Sequence, residues 1–214
     1  MSHPFHIVDV FAEAPHAGNP LAVVRVPVRF EAERGGPEVA WLSAPPIELG
    51  VRVAPARIAP PLGLDAEDLD PALPVQHVLA GIGFVFVPLR SLDAVRRCRF
   101  DLQGFRPLAR EGLPAQVYVF CREVLDEASD LHARMFFAAP DVREDPATGS
   151  ATACLGAYLL AHRAFGSGPL SLRIEQGTEM KRPSLLRLRA REGALGPRIE
   201  VGGRVVETAR GELF

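Results

Sequence analysis

The stretch from Asp141 to His162 constrains this chain more than any other. Asp145 precedes Pro146, which pushes the Asp145 backbone toward the extended region. Pro146 suits the first position of a helix or the turn just before one. Thr148, Gly149 and Ser150 then supply a hydroxyl, a bare backbone and a second hydroxyl. Ala151, Ala153, Leu155, Ala157, Leu159 and Leu160 follow, with no charge until His162. A helix that is apolar on all sides is normally buried. The stretch therefore predicts a buried helix over about 148–164. Its first turn offers N–H groups and a positive dipole end to an anion. Asp145 sits beside that mouth, where a carboxylate can move a proton on a bound acid.

A buried helix needs a shell, and the flanking residues read as strands. Phe5–Phe11 and Leu21–Val26 are strands joined by turn chemistry through Gly18-Asn19-Pro20. Arg29–Pro37 is charged and breaker-rich and reads as a loop, and Val39–Leu42 as a short strand. Prolines 45, 46, 55, 60 and 61 make Ala44–Leu64 poor in regular structure, a crossing between two domains, with Leu64–Leu69 as a short acidic helical turn. Val75–Leu79, Phe84–Leu89, Ala115–Arg122 and His132–Ala138 are strands, and Ser91 caps a short helix to Cys98. After Gly166, strands are expected at Ser171–Gln176, Ser184–Ala190, Arg198–Val201 and Arg204–Ala209.

Four stretches carry a resemblance. They are Phe5–Phe11 with Gly18-Asn19-Pro20-Leu-Ala-Val-Val24, then Gly81-Ile-Gly-Phe-Val-Phe-Val-Pro88-Leu, then Glu144-Asp-Pro-Ala-Thr-Gly-Ser-Ala151, then Glu175-Gln-Gly177 with Arg182-Pro-Ser184. In this order they resemble the phenazine-biosynthesis PhzF-like isomerases, a family similar in fold to diaminopimelate epimerase. The resemblance implies an α+β fold in which β-strands wrap a buried central helix. It implies a first domain over 1–45 with the C-terminal strand at about 204–214, a linker over 46–70, and a second domain over 71–203. The family's N-x-S-E-T segment, whose Glu is the main proton-transfer residue, and its G-H-P-T segment are both absent here. The first domain is therefore expected to be reduced and to lack its own helix. Apolar strand faces left uncovered favour a homodimer.

The resemblance also implies cofactor-free isomerisation or epimerisation of a small amino- or hydroxy-carboxylic acid. Asp145 is the candidate catalytic carboxylate. Gly149 and Ser150 are candidates to hold the substrate carboxylate, and Thr148, Asn19 and Gly18 complete the candidate substrate-binding set. Each has a plainer reading: Asp145 as a capping or loop carboxylate, Thr148 as the helix N-cap, and Gly18-Asn19 as a hairpin turn. Glu31 and Glu33 are the carboxylates near the gap that could replace the lost Glu. Glu175 and Gln176 either line the cleft or form a turn, Arg182 is either a carboxylate contact or an exposed cation, and Cys154 reads as core. A non-catalytic remnant that binds a carboxylate or serves as a dimerising partner is the second expectation.

Composition narrows the partners. The net charge of −2 gives no reason to invoke nucleic acid or a membrane. No apolar run reaches the roughly 20 residues that span a bilayer. Met1-Ser-His-Pro-Phe5 lacks a basic start and an apolar signal core, which points to the cytoplasm. Cys98, Cys121 and Cys154 are odd in number and far apart, so no disulfide framework is expected. There is neither a CxxC nor an HExxH, so no metal site is expected.

Overall fold

A computed structural model of the chain describes residues 3–22, 29–32, 38–138, 140–194 and 196–213. In chain order the strands are His3–Val10 (β1), Asn19–Ala22 (β2), Arg29–Ala32 (β3), Glu38–Ser43 (β4), Glu48–Val53 (β5), Val75–Ala80 (β6) and Ile82–Pro88 (β7). They continue with Gln116–Cys121 (β8), Leu131–Ala138 (β9), Val142–Asp145 (β10), Leu170–Gln176 (β11), Ser184–Arg191 (β12), Arg198–Gly203 (β13) and Val205–Leu213 (β14). The helices are Pro55–Ile58 (α1), Leu92–Arg97 (α2), Leu102–Arg110 (α3) and Gly149–Ala161 (α4). The 3-10 turns fall at Pro60–Leu62 and Ala66–Asp68, the second within the expected acidic turn.

Among the described residues β14, β1 and β2 form one small antiparallel sheet. The remaining strands form one large sheet in the order β3-β4-β13-β12-β11-β9-β8-β7-β6-β5, with β10 paired to β9. The expected α+β architecture of strands wrapped around a buried helix is present. Helix α4 packs against β12 and β13 on one side and β6 and β7 on the other. Every residue from Ala151 to Leu159 is buried, as an all-apolar helix requires.

Strand alternation gives the large sheet two cores. Phe84, Phe86, Tyr118 and Phe120 point at α4, and Phe86 stacks on Tyr158 with ring centroids 5.6 Å apart. Val85, Val87, Val117 and Val119 point the other way, onto α1–α3. Ser91 caps α2 as expected: its Oγ accepts the Ala94 N–H at 3.1 Å. Arg134 then closes the other end of α2 by donating to the carbonyls of Val95 (3.0 Å) and Cys98 (2.9 Å).

Several expectations are corrected. Arg29–Ala32, expected as loop, is strand β3, paired antiparallel to β4 through Arg29↔Trp41. The strand expected at Val39–Leu42 belongs, as β4, to the large sheet through β13 rather than to the N-terminal strands. Ala44–Leu64 is not poor in structure: β5 pairs with β6, and Ile58, Ala59 and Leu62 are buried in the second core. The prolines there open short helices instead of excluding them. No element is expected at α3, which contains Gly104 and Pro107, yet Asp101 caps it at 2.9 Å and Phe105 and Leu108 are fully covered. Val24, Val26, Glu33 and Pro37 lie outside the described residues. No helix among the described residues is long and apolar enough to cross a membrane.

Candidate functional site

The polar loop before α4 is in fact a strand followed by a tight turn. Asp145 ends β10 opposite Met135 of β9, in the extended backbone that a following proline favours. Its two carboxylate oxygens have different partners. Oδ1 accepts from Asn19 Nδ2 at 2.9 Å, and Oδ2 accepts from the Thr148 hydroxyl at 2.6 Å. Asn19 Nδ2 also donates to the Ala147 carbonyl at 3.0 Å. Thr148 occupies the N-cap position, but its hydroxyl does not cap the helix. It is buried and engaged, donating to Asp145 and accepting from Gln176 Nε2 at 3.0 Å. Gln176 is fully buried and also donates to the Asp145 carbonyl at 2.7 Å. Asp145, Thr148, Asn19 and Gln176 thus form one connected network.

Burial raises the Asp145 pKa above the ordinary carboxylate value, against the pull of the Thr148 hydroxyl and the Ala147 N–H. No neighbouring carboxylate is among the causes. Asn19→Ala is expected to raise that pKa further, because a donor to the charged form is lost. A carbon-13 NMR titration of the Asp145 carboxyl measures this, and an unmoved midpoint would show that Asn19 does not tune the acid.

The mouth of α4 has a feature whose place the sequence did not reveal. Phe11, a bulky residue at φ 58°, lies against it. A Cβ on Gly149 would come within 2.9 Å of the Phe11 ring, and one on Gly203 within 2.3 Å. Two bare glycines therefore form the slot that the ring occupies, and Gly149 is needed there for space. Ser150 is exposed at the helix start, open to solvent. Gly18 is buried at φ 63°, where a Cβ would meet the Val10 carbonyl at 2.3 Å, so it serves the turn. Arg182 locks that turn, donating to the Gly18 carbonyl (2.9 Å), the Ala17 carbonyl (3.1 Å) and the buried Asp9 (3.0 Å). The carboxylate Arg182 contacts is therefore the protein's own, and the lock holds Asn19 on Asp145.

Glu175 and Gln176 part company because successive strand residues face opposite sides. Gln176 faces Asp145, while Glu175 accepts the backbone N–H groups of Leu125 (2.9 Å) and Asp126 (2.7 Å). His132, fully buried, bridges Glu175 at 2.9 Å and Glu179 at 3.0 Å. Burial alone would lower its pKa, but the two glutamates win and raise it.

Glu31 does not approach Asp145. It pairs with Arg189 at 2.7 Å and Arg29 at 2.9 Å. Ser184, opposite Gln176, marks the Asp145 end of β12, and Arg189 lies roughly 16 Å along the strand from it. Cys154 is buried in α4 and its thiol is pushed up to about 12, which makes it inert core. Cys98 and Cys121 are likewise buried and unpaired. Among the described residues no group of three or more His, Cys, Asp or Glu is placed to hold a metal ion. The sequence marked Phe11 and His132 only as strand ends; the bend at Phe11, and Glu175 of β11 with Glu179 of the turn after it around His132, make them notable.

Comparison with known proteins identifies the family and the fold. A family profile described as phenazine biosynthesis-like protein, PhzC-PhzF, matches residues 25–211. An uncharacterized isomerase of Mesorhizobium japonicum is 39% identical over 139 residues, covering 63% of this chain and 46% of the relative. The trans-2,3-dihydro-3-hydroxyanthranilate isomerase of Pseudomonas fluorescens is 34% identical over 163 residues, covering 71% of this chain and 54% of the relative. The chain spans about half the length of the curated relatives it matches. The crystal structure of a Bacillus anthracis phenazine biosynthesis protein of the PhzF family superposes with a TM-score of 0.83 at 18% identity. That match covers 100% of this chain and 99% of the other, and it shows the shared fold.

Proposed function

The chain belongs to the phenazine biosynthesis-like family, and from that premise we propose that it is an isomerase or epimerase in which Asp145 moves a proton on a small amino- or hydroxy-carboxylic acid. One observation carries this reading. A half-buried carboxylate with a raised pKa stands at the N-terminal mouth of a buried helix, with both oxygens fixed by Asn19 and Thr148. The substrate carboxylate would rest on the first-turn N–H groups at Gly149 and Ser150, which have no intrahelical acceptor. Thr148 acts through Asp145 as a positioning residue, and Phe11 forms the apolar wall. The family relative named for trans-2,3-dihydro-3-hydroxyanthranilate supplies the first substrate to try. Phe30 and Leu42, exposed by 58% and 48%, support a homodimer that covers the β3–β4 end of the sheet. Three unpaired cysteines support a reducing, cytoplasmic setting.

A second reading is a remnant that binds the acid without turning it over. It is favoured by the placement of Glu31, whose carboxylate is held by Arg189 and Arg29 and cannot return a proton at Asp145. Deuterium incorporation separates the two. The protein is incubated in heavy water with the dihydro-hydroxyanthranilate and a panel of small amino and hydroxy acids, and the carbon-bound protons are followed by NMR. Exchange is expected, and Asp145→Asn should slow it by about 10²–10⁴-fold, the usual range for a positioned acid or base. Exchange should also fade as pH drops through the raised Asp145 pKa, because the base is then protonated. Equal exchange in wild type and Asp145→Asn would remove Asp145 from the chemistry. No exchange from a cooperatively melting wild type, together with saturable binding of the acids, would favour the remnant.

A further inference from the structure

The outward face of the large sheet carries a second concentration of chemistry, far from Asp145. Inward residues such as Leu186, Leu188, Ala190 and Val201 pack on α4, so the alternate residues of β11, β12 and β13 face out. There Arg189 lies opposite Ser171 and Glu200, and Arg191 lies opposite Arg198. With Arg29 of β3, these arginines line a groove of about 590 Å³. That volume is in the range of small-molecule sites.

The charges in the groove do not balance. Glu31 bridges Arg189 (2.7 Å) and Arg29 (2.9 Å), and Glu200 pairs with Arg29 at 3.0 Å. Both carboxylates are thereby engaged, Glu31 with both arginines and Glu200 with Arg29. Arg191 and Arg198 have no carboxylate partner among the described residues, although they stand directly opposite each other, an arrangement that is unfavourable for like charges. The groove continues into a recess of about 180 Å³ that shares Ser171 and Arg189 and is lined by Arg173 and Arg187 together with Asp130, whose carboxylate accepts the Arg173 backbone N–H at 2.7 Å. The Nε of Arg173 is buried there with no hydrogen-bond partner. A buried donor left unsatisfied is unfavourable. The whole chain is acidic, at −2, so this excess is local.

We propose that this groove binds a small polyanion carrying two adjacent anionic groups, of the diphosphate class. Guanidinium forks match phosphate oxygens two at a time, and two unengaged forks on neighbouring strands suit two linked phosphates better than one. A single-stranded nucleic acid is less well served. The aromatic residue of this face, Trp41, is buried under Arg189 at 3.9 Å and offers no ring for a base to stack on.

Isothermal titration of the full chain with inorganic pyrophosphate at low salt tests this. One saturable site is expected, with orthophosphate weaker and added salt weakening both. The double variant Arg191→Gln/Arg198→Gln should weaken pyrophosphate at least tenfold, while Arg191→Lys/Arg198→Lys, which keeps charge but loses the forks, should fall between. Circular-dichroism melts establish that the variants are folded, and the lysine pair serves if the glutamine pair is not. Absence of heat at millimolar pyrophosphate would overturn the proposal. So would unchanged affinity in the folded variants, or displacement of pyrophosphate by a tighter-binding single-stranded oligonucleotide.

Discussion

Arg134→Ala is expected to destabilise the protein by about 3–5 kcal/mol, the range for removing one partner of a buried ion pair. Arg134 donates to both oxygens of Glu144 at 2.8 Å, and the two side chains are 11% and 15% exposed. The same guanidinium satisfies the last carbonyls of α2 and lies 4.7 Å over the Phe136 ring. Alanine would leave a desolvated carboxylate and take from the Cys98 carbonyl its guanidinium donor, while the Val95 carbonyl keeps the Cys98 N–H at 3.3 Å. Glu144 is the residue before Asp145, so β10 should loosen from β9 and carry the acid with it. Urea denaturation gives the stability, and hydrogen exchange at Asp145 gives the loosening. A loss under 1 kcal/mol would mean that solvent enters the site and the pair is not buried in solution.

The second large effect concerns pH. His132 has its folded pKa raised by Glu179 and Glu175, so its contribution is fully present below the unfolded value of about 6.5. It is lost as pH rises through the folded value, because in that window the native state holds a proton the unfolded state has released. His77 and His162 have the opposite sign: burial lowers both, so stability climbs as pH approaches about 6.5 from below. Glu179, lowered by His132, contributes above its unfolded value and is lost in acid. The melting temperature should therefore peak near pH 6.5 and decline as pH rises through the raised His132 value. The buried cysteines, pushed up to about 12, add a further decline only in the alkaline range where unfolded thiols ionise. His132→Ala should cost about 3–5 kcal/mol at pH 6, by leaving Glu175 and Glu179 without the charge between them, and should flatten the decline above pH 6.5. A variant that keeps the slope would place its origin elsewhere.

Helix α4 was legible because its signal is entirely local. Thirteen residues without a charge can only be buried, and Pro146 and Thr148 mark where they begin. The expected end near residue 164 overshot Ala161, since the last residues turn through Arg163 at φ 51° before Gly166. The strands of the large sheet were legible for the same reason, as short apolar runs between glycines and prolines. Segment 44–64 was misread because proline was taken as a breaker. In β5 it merely flanks the strand, and in α1 it occupies the first helical turn, where its missing N–H has no consequence.

By itself, then, the sequence determined the buried helix, the carboxylate beside its N-terminus and the family to which they belong. The tertiary structure decided what that carboxylate is. Asn19 comes from 126 residues away and Gln176 from 31, and together with Thr148 they set the orientation and solvation of Asp145. Only the structure shows that Phe11 walls the mouth and that Glu31 is committed to Arg189 and Arg29. The physical reason is range. Helix propensity, capping and burial periodicity act between near neighbours, whereas hydrogen bonding, desolvation and ion pairing depend on which distant residues a sheet's register brings within about 3 Å.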